Sequence, residues 1–345
     1  MRRIYLACLV VLLAGLPACA PHLVAQRGIA DPDGDLVRMH VAMQRPFDKT
    51  GPMFGQERQR HLNYFRVDIS VPPTHQPGRI EWSQGDTDPA RHFVVSETKV
   101  LPGGSDFLKA VRSTRNAKET SVFVHGYNNT LSDAMFRLAQ MQVDFRIPDA
   151  PVLFSWPSAG DARGYIYDRD SVLFARDALE DLLGQLTARS DERVLLLAHS
   201  MGAHLVMEVM RQAALRGDRQ LLNRISGVVL MSPDIDPDLF RQQAQVIGTL
   251  PQPFLIFVSQ QDRALGLAAF ITGRKPRLGV IDGPAAVAGL PVKVIDFSRL
   301  SDGEAFGHTV PATSPSAIRI LRGMMEQVGQ GIQAFTDYMV LTATP

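Results

Sequence analysis

The sequence is poor in cysteine, shows no charge excess of either sign, and its conspicuous apolar run near the start is too short to cross a bilayer comfortably. Each shortage removes a class of protein. Among 345 residues there are 2 cysteines, Cys8 and Cys19, which excludes a disulfide-stapled scaffold and any four-cysteine zinc or iron–sulfur site. Lys and Arg number 36 against 35 Asp and Glu, a net charge of +1. That is not the basic surplus of a nucleic-acid binder, so no nucleic-acid partner is expected. No internal repeat is visible. What is present, 45% hydrophobic and 21% charged residues, is the composition of a packed globular protein.

Residues 1–18 read as an export signal. Arg2 and Arg3 precede the apolar stretch Ile4 to Leu13, and small residues follow up to Leu16-Pro17-Ala18-Cys19. That end resembles a bacterial lipobox, with Leu16 three residues before Cys19 and Ala18 just before it; Pro17 departs from the usual pattern. Cys19 is therefore expected to carry a lipid that holds the chain on the periplasmic face of a bacterial membrane. Cleavage after Ala20, giving a free periplasmic or secreted protein, is the alternative, because Ala18-Cys19-Ala20 is also a small-x-small site. Cys8 leaves with the signal and a lipidated Cys19 is no free thiol, which suits an oxidising compartment. Residues 19–59, with Pro21, Pro32, Pro46 and Pro52 among many polar residues, read as a tether and then irregular structure. Residues 331–345 read as a C-terminal tail.

The stretch 60–330 alternates two periodicities. Val122 to Val124, Val152 to Phe154, Val194 to Ala198, Val228 to Met231, Phe254 to Val258 and Val292 to Ile295 are apolar without alternation, as strands buried on both faces are. Between them, Val172, Ala175, Leu179, Leu182 and Leu186 recur at steps of three and four and share one helix face. A last helix opens at Ser314-Pro315, buries Ile318, Leu321, Met325 and Val328, and stops at Gly329. Leu62 to Val71 and Phe93 to Leu101 form two earlier strands with no helix between them. The pattern predicts one α/β domain over 60–330, a mostly parallel sheet of about eight strands with helices on both faces and an antiparallel start.

The chemistry lies at the end of one of these strands. Val194 to Ala198 runs straight into His199-Ser200-Met201-Gly202 and then a helix, which is G-x-S-x-G with Ala198 in the first glycine position and in the strand–turn–helix setting that motif requires. The turn must be sharp enough to lift Ser200 off the sheet edge, so its neighbours two residues away must be small. A serine hydroxyl needs a base, and the base needs an orienting group. After Ser200 the histidines are His204, one turn into the helix and read as structural, and His308, in a loop after the last strand of the domain. His308 is the expected base. Asp262, after the strand Phe254 to Val258, is the expected acid; Asp234 and Asp236, one strand earlier, are the alternatives, and either could instead cap the helix starting near Pro237. Backbone N–H groups of Met201 and Tyr127 are the expected oxyanion donors. His125, before Gly126 and Tyr127, is read as supporting that loop, and Trp156 as a pocket wall or a core residue.

These stretches, together with Phe123-Val124-His125-Gly126-Tyr127-Asn128 and Phe154-Ser155-Trp156-Pro157-Ser158, resemble the α/β-hydrolase superfamily, and within it a bacterial family of α/β hydrolases of unknown function related to esterases and lipases. The resemblance implies a Ser200–His308–Asp262 triad, with no metal and no organic cofactor. It does not supply a substrate. The expectation is an exported, lipid-anchored serine hydrolase acting on small-molecule or lipid carboxylic esters through an acyl-enzyme. An amidase or peptidase using the same triad, or a non-catalytic envelope protein binding through a hydrolase scaffold, are the alternatives.

Overall fold

A computed structural model of the chain describes residues 22–47, 57–114, 118–147, 151–273, 275–303, 307–329 and 336–342; the expected signal and Cys19 lie outside them. The strands are β1 (Asp35–Met43), β2 (Asn63–Val71), β3 (Val94–Leu101), β4 (Glu119–Val124), β5 (Val152–Ser155), β6 (Arg193–His199), β7 (Ile225–Met231), β8 (Phe254–Val258), β9 (Lys293–Asp296) and β10 (Tyr338–Val340). They form one sheet in the order β10-β9-β8-β7-β6-β4-β5-β1-β2-β3. Seven of its nine pairings are parallel, from β10 across to β1; β2 pairs antiparallel with β1 and with β3.

The helices of nine or more residues are α1 (Gly104–Thr114), α2 (Leu131–Asp144), α3 (Tyr165–Phe174), α4 (Arg176–Leu186), α5 (Met201–Leu215), α6 (Pro237–Ile247), α7 (Arg263–Ile271) and α8 (Pro315–Gly329). Crossovers from one parallel strand to the next require such helices, and they cover both faces. Phe107, Val172, Leu179, Val206 and Phe240 pack on one face of the sheet, whereas Phe136, Met141 and Leu321 from α2 and α8 pack on the other. In β6, Leu196 and Ala198 face the first layer and Leu197 the second, so the unalternating apolar run corresponds to a strand buried on both sides.

Several expectations need correction. Residues 19–59 are not all tether or irregular chain, because β1 lies inside the sheet between β5 and β2. Its sequence hid this. Pro32 and Pro46 lie outside the strand, which is where prolines that cannot donate to a ladder belong, and the strand buries a polar residue, His40, among its apolar ones. The C-terminal tail contributes β10, a three-residue edge strand defined by its pairing with β9 rather than by any periodicity. The sheet accordingly has ten strands, not about eight, and the domain reaches beyond 60–330 at both ends. The helix expected through Val172 to Leu186 is divided at Ala175 into α3 and α4, although all five residues of the stripe are buried. In α8, Ser314 Oγ accepts from the Ala317 N–H at 3.0 Å as an N-cap should, but the third position of the buried stripe is Met324, and Met325 is exposed.

Candidate active site

The carboxyl ends of β4 to β9 converge on one edge of the sheet, where open α/β folds carry their ligand sites. Ser200 sits between β6 and α5 with φ 53° and ψ −119°, a left-handed conformation that costs a non-glycine residue roughly 1–3 kcal/mol and persists only where the surroundings impose it. Here Ser200 N–H donates to Met231 O (2.9 Å) at the end of β7, and Ser200 O accepts from Asp234 N (3.2 Å). The tight spacing expected on either side of the serine has a different source from the one inferred. A Cβ at Gly202 would lie 2.4 Å from the carbonyl oxygens of Val124 and His125, and one at Gly126 would lie 2.7 Å from His199 Nδ1 and 2.9 Å from Ser200 Cβ. It is the loop after β4 that presses on the elbow, and both glycines are needed for that approach.

His308 and Asp262 meet across 46 residues of sequence. His308 Nδ1 lies 2.6 Å from Asp262 Oδ2, and the Asp262 side chain is fully buried. The other Asp262 oxygen accepts from Leu265 N–H (2.9 Å) and caps α7, so the carboxylate is held from two directions. The earlier pair of acids is engaged elsewhere. Asp234 accepts from the Tyr165 hydroxyl (2.8 Å) and lies 3.0 Å from Arg277 Nε in a buried ion pair, while Asp236 caps α6 through the Asp238 and Leu239 N–H groups. His204 is buried within α5, as expected of a structural residue.

Two loops beside the elbow are tied together by residues that sequence reasoning passed over. Arg45, just after β1 and 1% exposed, donates from Nε and Nη2 to Trp156 O (3.1 and 2.8 Å) and from Nη2 to Asn129 O (3.3 Å). Burial lowers its pKa to about 10. Asp168, in the first turn of α3, is buried and accepts from Ser158 Oγ (2.7 Å), Ala159 N (2.6 Å) and Asn128 N (3.2 Å); burial raises its pKa. His125 supports the loop, stacking on Trp156 at 5.0 Å with Nε2 3.2 Å from Ser155 Oγ. Trp156 is fully buried and donates to His125 O (2.8 Å), which makes it a core residue and not a pocket wall. Among the described residues, neither the Met201 nor the Tyr127 backbone N–H has a protein acceptor.

His199 is the other residue left unread. Its Nε2 lies 3.3 Å from the carbonyl oxygen of His308, which also accepts from Ser232 Oγ (2.8 Å), and the two imidazole rings are 4.6 Å apart. Burial, and then the neighbouring His308, push its pKa well below the usual histidine range. It is therefore a neutral donor that pins the His308 backbone without adding charge beside the ring. A polar residue ending a fully apolar strand was the available signal.

Space at this edge is divided. The void touching Ser200 is about 20 Å³, bounded by Tyr165, Leu265 and Ala268 among others, room for about one water. It shares Tyr127, Ala264 and His308 with a cavity of about 350 Å³, walled by Ile80, Trp82, Phe123, Met141, Met231 and Pro311. A larger cavity, about 990 Å³, opens at the opposite edge near Asp33, Arg38 and His75, and no residue expected to do chemistry lines it. Among the described residues no group of three or more His, Cys, Asp or Glu is arranged to hold a metal.

Solved structures similar to this chain are distant. They include a dienelactone hydrolase from Anabaena variabilis (TM-score 0.38, 11% identity, 78% of this chain and 92% of that one). Lipase B of Aspergillus fumigatus matches with TM-score 0.39 and 14% identity over 74% of this chain and 63% of that one, and an esterase from Rhizomucor miehei with TM-score 0.35 and 11% identity over 86% and 85%. Nothing about activity rests on likenesses this remote. No curated protein matches the chain. The family model described as alpha/beta hydrolase of unknown function (DUF900) matches residues 105–324, more than half of the chain, from the start of α1 through the elbow and into α8, and the protein belongs to that family.

Proposed function

We propose that this hydrolase is a serine esterase that cleaves carboxylic esters through an acyl-enzyme. Ser200 is the nucleophile, His308 the base, Asp262 the group that orients it, and the N–H groups of Met201 and Tyr127 the oxyanion donors. The observation that carries the reading is the 2.6 Å contact of His308 Nδ1 with the buried Asp262 carboxylate, beside a serine held at φ 53°. That contact makes Nδ1 the protonated nitrogen and leaves Nε2 as an acceptor.

Ser200 Oγ attacks the ester carbonyl carbon while its proton passes to His308 Nε2, and the negative charge of Asp262 stabilises the imidazolium. The carbonyl oxygen takes up the negative charge and accepts from the Met201 and Tyr127 N–H groups, which have no protein acceptor among the described residues. Collapse breaks the C–O bond, and the leaving alkoxide takes the proton from His308. Water then repeats the sequence on the acyl-enzyme, releasing the acid and restoring Ser200. The cavity of about 350 Å³, within the size range of small-molecule sites and largely apolar, suits the acyl chain. The protein is further read as exported and lipid-anchored at Cys19, a reading that mass analysis of its N-terminal peptide checks.

The test is labelling by a fluorophosphonate together with turnover of p-nitrophenyl esters of graded chain length. Both are expected for the wild type and lost in Ser200→Ala. Turnover that survives Ser200→Ala removes the assignment.

A further inference from the structure

Two features outside the chemistry flank the mouth of this site. One is the start of the described chain. His22 Nδ1 lies 2.7 Å from Asp133 Oδ2 and Nε2 3.1 Å from Asn128 Oδ1, and Ala25 N–H donates to Ser132 Oγ (3.1 Å). His22 thereby lines the same cavity as His308 and Tyr127. Only three residues of reach separate it from Cys19, at most about 10 Å of extended chain. A lipid on Cys19 would hold the site's mouth against the bilayer instead of leaving the domain to wander on a long tether.

The second feature is α7. Its inner face buries Leu265 and Ala268, but Leu267, Phe270 and Ile271 are 59%, 64% and 46% exposed. Leu267, Ile271 and Ala264 reach the void at Ser200, so this apolar face borders the site as well. Exposed Arg263 and Lys275 bracket it, and the sequence from 263 to 281 contains no Asp or Glu. Asp262 and Asp282 adjoin this segment in the sequence, Asp262 being buried against His308 and Asp282 exposed; an apolar stripe with cations at its ends has the chemistry of a surface that lies on an anionic bilayer.

We infer that α7 and its flanks dock on an anionic phospholipid bilayer, on the side from which the Cys19 anchor departs, so that the site's mouth opens onto the membrane surface. The substrates are then ester-bearing amphiphiles presented by that bilayer. This last clause rests on the esterase reading; the docking itself does not.

The experiment uses the chain from residue 19 on, which contains every described residue, carrying Cys19→Ser and Ser200→Ala so that neither an acyl group nor turnover contributes. Flotation is measured with vesicles of phosphatidylcholine alone and with about one-third phosphatidylglycerol. The expected result is co-flotation with the anionic vesicles, and a bound fraction at least ~10-fold lower in Phe270→Asp with Lys275→Glu, at unchanged melting temperature and circular dichroism. A chain that floats with neither vesicle, or floats equally well with both substitutions in place, overturns the inference. So does sedimentation showing a dimer that the substitutions dissolve without any vesicle binding, since a second copy then covers the patch. With Ser200 restored, the same substitutions should lower hydrolysis of a vesicle-embedded long-chain ester at least ~10-fold more than hydrolysis of a soluble butyrate ester. If neither ester is hydrolysed while flotation behaves as expected, the esterase reading and the substrate clause fail and the docking stands.

Discussion

The two edges of the sheet treat their histidines in opposite ways. At the carboxyl edge, His125 is buried against a carbonyl and a hydroxyl, and His199 is half-buried against the carbonyl and ring of His308. Burial, followed by the charge of Arg45, lowers His125 to about 3, and His199 is pushed far below its usual value. At the amino edge, His75 lies between Glu81 (2.8 Å) and Asp144 (3.3 Å). Burial alone would lower its pKa, but the hydrogen bonds to Asp144 and Glu81 outweigh that and raise it to about 9. In the proposed mechanism, neutral imidazoles at this edge position His308 without competing for its proton. A charged imidazole between two carboxylates joins the β2–β3 connection to α2. What separates the roles is whether the nearest partners carry charge.

The largest test of that division is at the carboxyl edge. Ser200→Ala is expected to lower kcat for p-nitrophenyl esters by about 10⁴-fold or more with an unchanged melting temperature. Next, Asp262→Asn should lower kcat by ~10²–10⁴-fold. Asp234→Asn should cost less than ~10-fold in kcat but roughly 3–5 kcal/mol of stability in urea unfolding, because it leaves Arg277 buried without its ion partner. If Asp234→Asn is the worse of the two for kcat, the acid belongs one strand earlier.

Stability against pH should separate the edges directly. His75 has a folded pKa above its unfolded value of 6.5, so its contribution is full below pH 6.5 and lost as pH rises through about 9. His75→Gln should destabilise by roughly 3 kcal/mol at pH 6 and far less at pH 10. His125 runs the other way: its folded pKa is depressed, so its contribution is full above pH 6.5 and lost as pH falls from there towards about 3. The wild type should therefore lose stability on that acid limb; urea midpoints flat from pH 7 to pH 4 would erase the contrast. His199→Gln is expected to lower kcat about 10-fold with little change in KM, because His308 loses one of the donors to its carbonyl and moves without being removed.

Much of this edge was legible from residue order. A polar pair closing an apolar strand and followed by a helix pattern marks an elbow, and the later histidine and aspartate both follow strands, so a parallel sheet brings them to one edge. Asp262 was the expected partner of His308 from its place after the strand Phe254 to Val258, but Asp234 and Asp236 stayed open as alternatives, since the contact depends on which loop leans towards which. Arg45 and Asp168 were missed because a buried ion in a loop has the same sequence signature as a solvated one. β1 was missed because prolines on either side of a strand look like prolines within a tether, and β10 because three residues carry no period.

Local order along the chain was enough to determine the α/β architecture, the sharp turn at Ser200 and the identity of the residues able to act there, because strand and helix periodicities and tight turns are written in neighbouring side chains. Only the tertiary structure placed the Asp262 carboxylate against His308, brought the loop after β4 so close to the elbow that Gly126 and Gly202 have no room for a side chain, and set His22 at the mouth of the candidate site. Those depend on contacts between segments tens of residues apart, for which the linear pattern has no term.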